Sequence, residues 1–87
     1  MTIDHVPQFQ KHYKKRISRY PKLKKQFSER LSLFVKDPKH PLLYDHSLSG
    51  SKKSFRAFSM TGDIRVVYRI EGDIVRLYDV GTHNQVY

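Results

Sequence analysis

Apolar residues recur through the first half of the chain at steps of four, four and three. Phe9, Tyr13, Ile17 and Tyr20 make one such stripe; Leu23, Phe27, Leu31 and Phe34, with Val35 alongside, make a second. That is the period of a helix burying one face. Val6-Pro7 opens the first helix, because a proline at the first helical position lacks an N–H that would have no partner there. Pro21 ends that helix and can start the next. Asp37-Pro38 ends the second, since the residue before proline disfavours the α region. A link this tight predicts an antiparallel hairpin with both aromatic stripes on a shared core.

From Ser54 the period changes. Ser54–Met60, Asp63–Ile70 and Asp73–Val80 are short runs rich in β-branched and aromatic residues, separated by Thr61-Gly62 and Glu71-Gly72. They predict a three-stranded antiparallel meander with tight turns. In its middle strand Ile64, Val66, Tyr68 and Ile70 share one face, and Arg65, Val67 and Arg69 the other. Helices covering the apolar face would leave an open face carrying arginine. Ile3–His5 has the length of an edge strand, with no position in the sheet that the pattern settles. The expected architecture is α+β: a short N-terminal strand and a helical hairpin packed on a small antiparallel sheet. At 87 residues, 1–87 is one domain, too short for a second core.

Composition narrows the function. No cysteine is present, which excludes a disulfide framework, a thiolate metal site and a cysteine nucleophile. No apolar run reaches the roughly 20 residues that span a bilayer, and the N-terminus lacks the regions of a signal peptide, so a cytoplasmic protein is expected. The net charge is +9, and it is uneven: residues 1–40 hold 11 Lys+Arg against 3 acids, residues 41–87 hold 6 against 5. Such a field attracts polyanions. Lys11, Lys14, Lys15, Lys22, Lys24 and Lys25 lie mostly off the apolar stripes and are candidate phosphate contacts.

Several chemistries find no support. There is no Gly-x-Ser-x-Gly elbow, no phosphate-cradling glycine loop, and no metal-ligand spacing among the five histidines. What remains is a set of polar residues around the meander. Asp45-His46-Ser47-Leu48-Ser49-Gly50 precedes its first strand, Arg56 and Ser59 lie on that strand, Asp63 is at the next hairpin, and His83 and Tyr87 follow the last strand. If residues 81–87 turn helically, His83 and Tyr87 project to one side. Histidine, aspartate, tyrosine and arginine are what metal-free RNA cleavage needs: a base for the 2′-OH, an acid for the leaving 5′-oxygen and a cation for the developing charge. Spacing alone leaves each open to a structural role. Asp45 suits an Asx-type turn, Asp63 suits the Gly-Asp hairpin, and Tyr68 suits the core.

These residues resemble the RelE/ParE superfamily of bacterial toxin–antitoxin toxins, in particular the YafQ-like branch. The resemblance spans nearly the whole chain. Residues 45–50 match the branch's Asp-His-x-Leu-x-Gly, residues 63–68 its Asp-x-x-x-x-Tyr strand, and Gly81-Thr82-His83 its C-terminal Gly-Thr-His, followed four residues later by the aromatic Tyr87. The resemblance implies a RelE-like fold and a ribosome-dependent endoribonuclease that cuts mRNA in the A site by 2′-OH attack, without metal or other cofactor. It implies two kinds of partner: the ribosome with its mRNA, and a cognate antitoxin held in a hetero-oligomeric complex. His46, His83 and Asp63 match catalytic positions, and Tyr87 the aromatic that meets a base. Arg56 and Arg65 match arginines that could hold phosphate. The chain departs from the branch at three places: Ser59 stands where the branch has a further histidine, and Ile64 and Lys52 where it has tryptophans. The resemblance therefore implies either a slower nuclease or one in which Tyr87 or Arg65 takes over the missing role. Two other functions stay open: a non-catalytic ParE-like poison of DNA gyrase, and an RNA- or ribosome-binding protein with weakened activity.

Overall fold

The computed structural model describes residues 1–52 and 54–87. Strand β1 (Thr2–His5) leads into helix α1 (Pro7–Tyr13), with Pro7 in its first turn. The chain then widens into one π-helical turn over Lys14–Ser18, whose Ile17 is wholly buried. After Arg19 and Tyr20, helix α2 (Pro21–Lys36) returns along the first, with Phe27 against both Phe9 and Tyr13. The hairpin expected from the apolar stripes is therefore present, with a π turn that the stripes did not reveal.

The remaining strands are β2 (His46–Ser47), β3 (Arg56–Ser59), β4 (Ile64–Glu71) and β5 (Ile74–Thr82), followed by the short helix α3 (His83–Val86). The sheet runs β1-β5-β4-β3-β2. The meander β3–β4–β5 is antiparallel, as its turns imply, and Gly72 supplies the left-handed residue between β4 and β5 at φ 64°. β1 joins the free edge of β5 in parallel, with Thr2 opposite Ile74, so the sheet is mixed. β2 is an antiparallel edge strand where the sequence suggested only a loop.

Both faces of the sheet are covered. The helical hairpin covers one: Phe34 stacks on Phe58 at 4.8 Å and meets Tyr68 edge-on at 4.9 Å, over Val66, Leu77 and Val80. A bulge gives β5 one extra residue, Tyr78, opposite the Val67/Tyr68 step. It lets Val75, Leu77 and Val80 all reach this face although strict alternation would not. The opposite face is not open, as the pattern of β4 suggested. Ala57, Val67 and Val86 form a second small core there with Leu48, Phe55 and Tyr78. Ile70 shares the helix-side face but lies beyond the helices and is 56% exposed.

Candidate functional site

The second face carries the site. Where the chain enters β2, Asp45 and His46 point to opposite sides of the sheet, as neighbours on extended chain do. Asp45 reaches to the helix side, where Arg56 donates to it from Nε at 2.7 Å and pairs through NH2 at 2.6 Å, and the Tyr68 hydroxyl donates to its other oxygen. Burial, with the Asp45 carboxylate next in weight, pushes the Tyr68 phenol well above its ordinary pKa. This triad, closed over a largely buried Asp45 carboxylate, anchors a strand only two residues long. His46 is thereby presented to the other face.

His83 and Tyr87 arrive on the same face from the C-terminus. Gln85 Oε1 accepts from the Thr82 backbone N–H at 2.8 Å, one half of the Thr-x-x-Gln capping box, and α3 starts there. Gly81 makes this possible: a Cβ at this position would sit 2.5 Å from Gln85 Oε1 and 2.9 Å from Arg16 NH1. The Lys52 ammonium donates to the Val86 carbonyl at 3.1 Å and holds the end of α3 toward the loop after β2. The result is a cleft of about 410 Å³ lined by His46, Ser47, Ser49, Lys52, His83 and Tyr87. Tyr87 stands between the histidines. Its ring meets His83 edge-on at 4.5 Å and His46 at 6.4 Å, and its hydroxyl is 3.4 Å from His46 Nε2.

The hydrogen bonds define proton positions. His46 Nδ1 lies 3.0 Å from the Tyr44 carbonyl, which can only accept. Nδ1 therefore carries the proton, and in the neutral ring Nε2 holds the lone pair on the cleft side. Tyr87 can donate to it. Burial raises the Tyr87 pKa, and the nearby Arg65 charge only partly opposes this, so the phenol is protonated at neutral pH. Arg65 is held by the β3–β4 hairpin, donating from NH1 to the Ser59 hydroxyl and to the Thr61 and Gly62 carbonyls. Ser59 is 5% exposed and also donates to the Thr61 carbonyl at 2.6 Å. It braces Arg65 instead of facing the cleft. Among the described residues, no Asp or Glu side chain lines the cleft.

The remaining sequence candidates are placed differently. Asp63 is exposed at the hairpin next to the Ile64–Thr82 pair, near the strand end that carries His83 but not in the cleft wall. Arg56 departs most from expectation. It lies on the helix side of the sheet, committed to Asp45, because it alternates with Ala57 and Ala57 faces the site. Lys11, Lys14, Lys15, Lys22, Lys24 and Lys25 are all exposed on the hairpin. Sequence reasoning passed over Asp45, Gln85 and Arg16 as supports of the site. The Thr-x-x-Gln spacing was a signal for α3; nothing in the sequence pairs Asp45 with Tyr68.

A family model described as the bacterial toxin of type II toxin-antitoxin systems, YafQ, matches residues 1–87. The chain belongs to the YafQ toxin family. Its fold is that of YafQ from E. coli strain BL21(DE3), at 22% identity and a TM-score of 0.83, over 98% of this chain and 96% of that one. A metal-bound toxin from Helicobacter pylori aligns over 100% and 99% of the two chains, at 27% identity and a TM-score of 0.78. The toxin in the E. coli DinJ-YafQ complex aligns over 98% and 96%, at 20% identity and a TM-score of 0.73. No curated protein matches the sequence. Among the described residues of this YafQ-family toxin, no group of three or more histidine and carboxylate side chains could hold a metal ion, and no helix is long and apolar enough to cross a membrane.

Proposed function

We propose that this toxin is an endoribonuclease that cuts mRNA in the ribosomal A site without a metal, in the cytoplasm where ribosomes work. The observation that carries the reading is the convergence of His46, His83 and Tyr87, up to 41 residues apart in sequence, around one cleft whose wall, among the described residues, holds the Lys52 ammonium and no Asp or Glu side chain. In the reaction the substrate 2′-OH loses its proton and its oxygen bonds to phosphorus. The bond from phosphorus to the 5′-oxygen breaks, and that oxygen takes up a proton, leaving a 2′,3′-cyclic phosphate. His46 Nε2, with its lone pair toward the cleft, suits the base. Tyr87, neutral and able to donate, and His83 suit the acid side. Lys52 and Arg65 put positive charge near the phosphate, which matters most in the transition state. The exposed hairpin lysines add sequence-independent affinity for ribosomal RNA. Asp63 would act from the rim. Arg56 has no part in this scheme.

A cognate antitoxin restrains the activity in a hetero-oligomeric complex. The E. coli YafQ structure with DinJ supports this, and a +9 chain would draw an acidic segment to itself.

Primer extension on mRNA programmed onto purified ribosomes tests the proposal, with wild type and His83→Ala side by side. Cuts at the A-site codon that need both ribosomes and His83 are expected. Salt-sensitive ribosome binding without cuts would reduce the protein to a binding module. Absence of both would refute the RNA reading and favour a gyrase poison.

A further inference from the structure

A second depression draws on the same C-terminal segment as the cleft, through Thr82 and Gln85 where the cleft uses His83 and Tyr87. It is a groove of about 380 Å³ between the helical hairpin and the end of β5, with Lys15, Arg16, Arg19 and Tyr20 on one side and Thr82 and Gln85 on the other. Among the described residues its lining holds three cations and no acid. Arg16 is committed, donating to the Val80 carbonyl at 3.0 Å and pairing with Asp79. Lys15 and Arg19 have no carboxylate partner among the described residues, so their charge faces the groove and solvent.

Tyr20 is the unusual member. Its ring is 49% exposed, and the Arg19 guanidinium lies 5.6 Å from its centroid. The backbone beneath it is fixed. Tyr20 N–H donates to the Ile17 carbonyl, the Tyr20 carbonyl accepts from Lys24, and Ile17 is fully buried below. An aromatic ring beside a guanidinium on a rigid turn is a platform for a nucleobase, and the neighbouring cations suit its phosphate. Across the groove Gln85 is held by its oxygen, which leaves its amide N–H groups to donate. Thr82 lines the groove and His83 the cleft. The two depressions thus draw on consecutive residues at the end of β5.

We propose that the Tyr20 groove binds one nucleotide of single-stranded RNA, next to the nucleotide whose phosphate enters the His46–His83–Tyr87 cleft. The inference rests on the nuclease reading for the cleft, but its test does not need cleavage. The probe is a fluorescein-labelled RNA tetranucleotide, 2′-O-methylated throughout so that no 2′-OH can attack, followed by anisotropy over a range of salt. Tyr20→Ala is expected to weaken binding roughly 5- to 150-fold, the range of a lost base stack. Tyr20→Phe keeps the ring and should bind like wild type. Lys15→Gln with Arg19→Gln should flatten the slope of log K against log salt by about 1.4, that is about 0.7 per phosphate contact. This arm decides the matter should Tyr20→Ala fail to fold. Wild-type affinity in a folded Tyr20→Ala, or an unchanged slope in the double variant, overturns the proposal. So does a poly-glutamate peptide that binds as tightly with the same dependence on Tyr20, since the groove would then fit an acidic protein segment. Tyr20-dependent binding by a protein that cuts nothing on ribosomes would uphold the groove and refute the nuclease. Cleavage with no Tyr20 dependence would do the reverse.

Discussion

Replacing Gly81 by alanine adds one methyl group beneath the cleft. The φ of Gly81 is outside the left-handed region, so the backbone accepts alanine and space decides the outcome. The new carbon would lie 2.5 Å from Gln85 Oε1, 2.9 Å from Arg16 NH1 and 3.1 Å from Gln85 Cβ. The first two atoms end flexible side chains and can swing away, yet each gives up a bond when it does. Gln85 releases the Thr82 N–H, its partner at 2.8 Å; Arg16 releases the Val80 carbonyl at 3.0 Å. A lost bond at a helix start costs about 0.5–2 kcal/mol. The arginine bond, partly open to water, adds about 1 kcal/mol. The sum is about 1.5–3 kcal/mol, a fall in Tm of roughly 6–24 °C for a domain of this size. Cleavage should fall further than stability, because His83 and Tyr87 ride on α3 and a misplacement of about 1 Å can cost roughly 10²-fold. Thermal unfolding by circular dichroism and primer extension on programmed ribosomes measure the two effects. If Gly81→Ala melts within about 2 °C of wild type and cuts at the wild-type rate, the Arg16–Gln85 support of the site is wrong.

Further outcomes follow from the same geometry. His83→Ala should lower single-turnover cleavage by about 10²–10⁴-fold, the contribution of one acid–base group, with the melting curve and ribosome affinity unchanged. Neutralising Lys11, Lys14, Lys22, Lys24 and Lys25 together should weaken ribosome binding and flatten its dependence on salt, read by pelleting at several salt concentrations. The Tyr68 phenol is raised in the folded state by burial and by Asp45. The stability this supplies is therefore complete below pH about 10 and is lost as pH rises above it. Tyr68→Phe should unfold at lower urea than wild type at pH 8, by about 1 kcal/mol, and should lose less of its stability between pH 9 and 11 than wild type does. Ser59→His, which introduces the branch's residue, should destabilise the fold by about 1–3 kcal/mol in urea titrations, because it puts an imidazole into a site 5% exposed and displaces the brace on Arg65.

What could be read without the structure was local. Stripes at helical spacing reported the two helices because a helix on a core must repeat its apolar residues at its own period. Pro7 and Pro21 marked the helix starts, since proline's effect acts on its own turn. Alternation and turn residues reported the meander for the same reason. The motif order, read against the YafQ-like branch, named His46, Asp63, His83 and Tyr87 as one set, of which Asp63 lies outside the cleft wall. Only the tertiary structure decided how they meet. β1 joins β5 in parallel across 72 residues, and no local period encodes a partner that distant. His46 and Arg56 lie ten residues apart, yet the alternation of two paired strands sends one to the cleft and the other to Asp45 on the far side. The bulge at Tyr78 shifts that alternation by one residue, and α3 closes a face that the pattern of β4 left open. Pairing, bulges and burial depend on which surfaces meet, and that is a property of the whole packed chain.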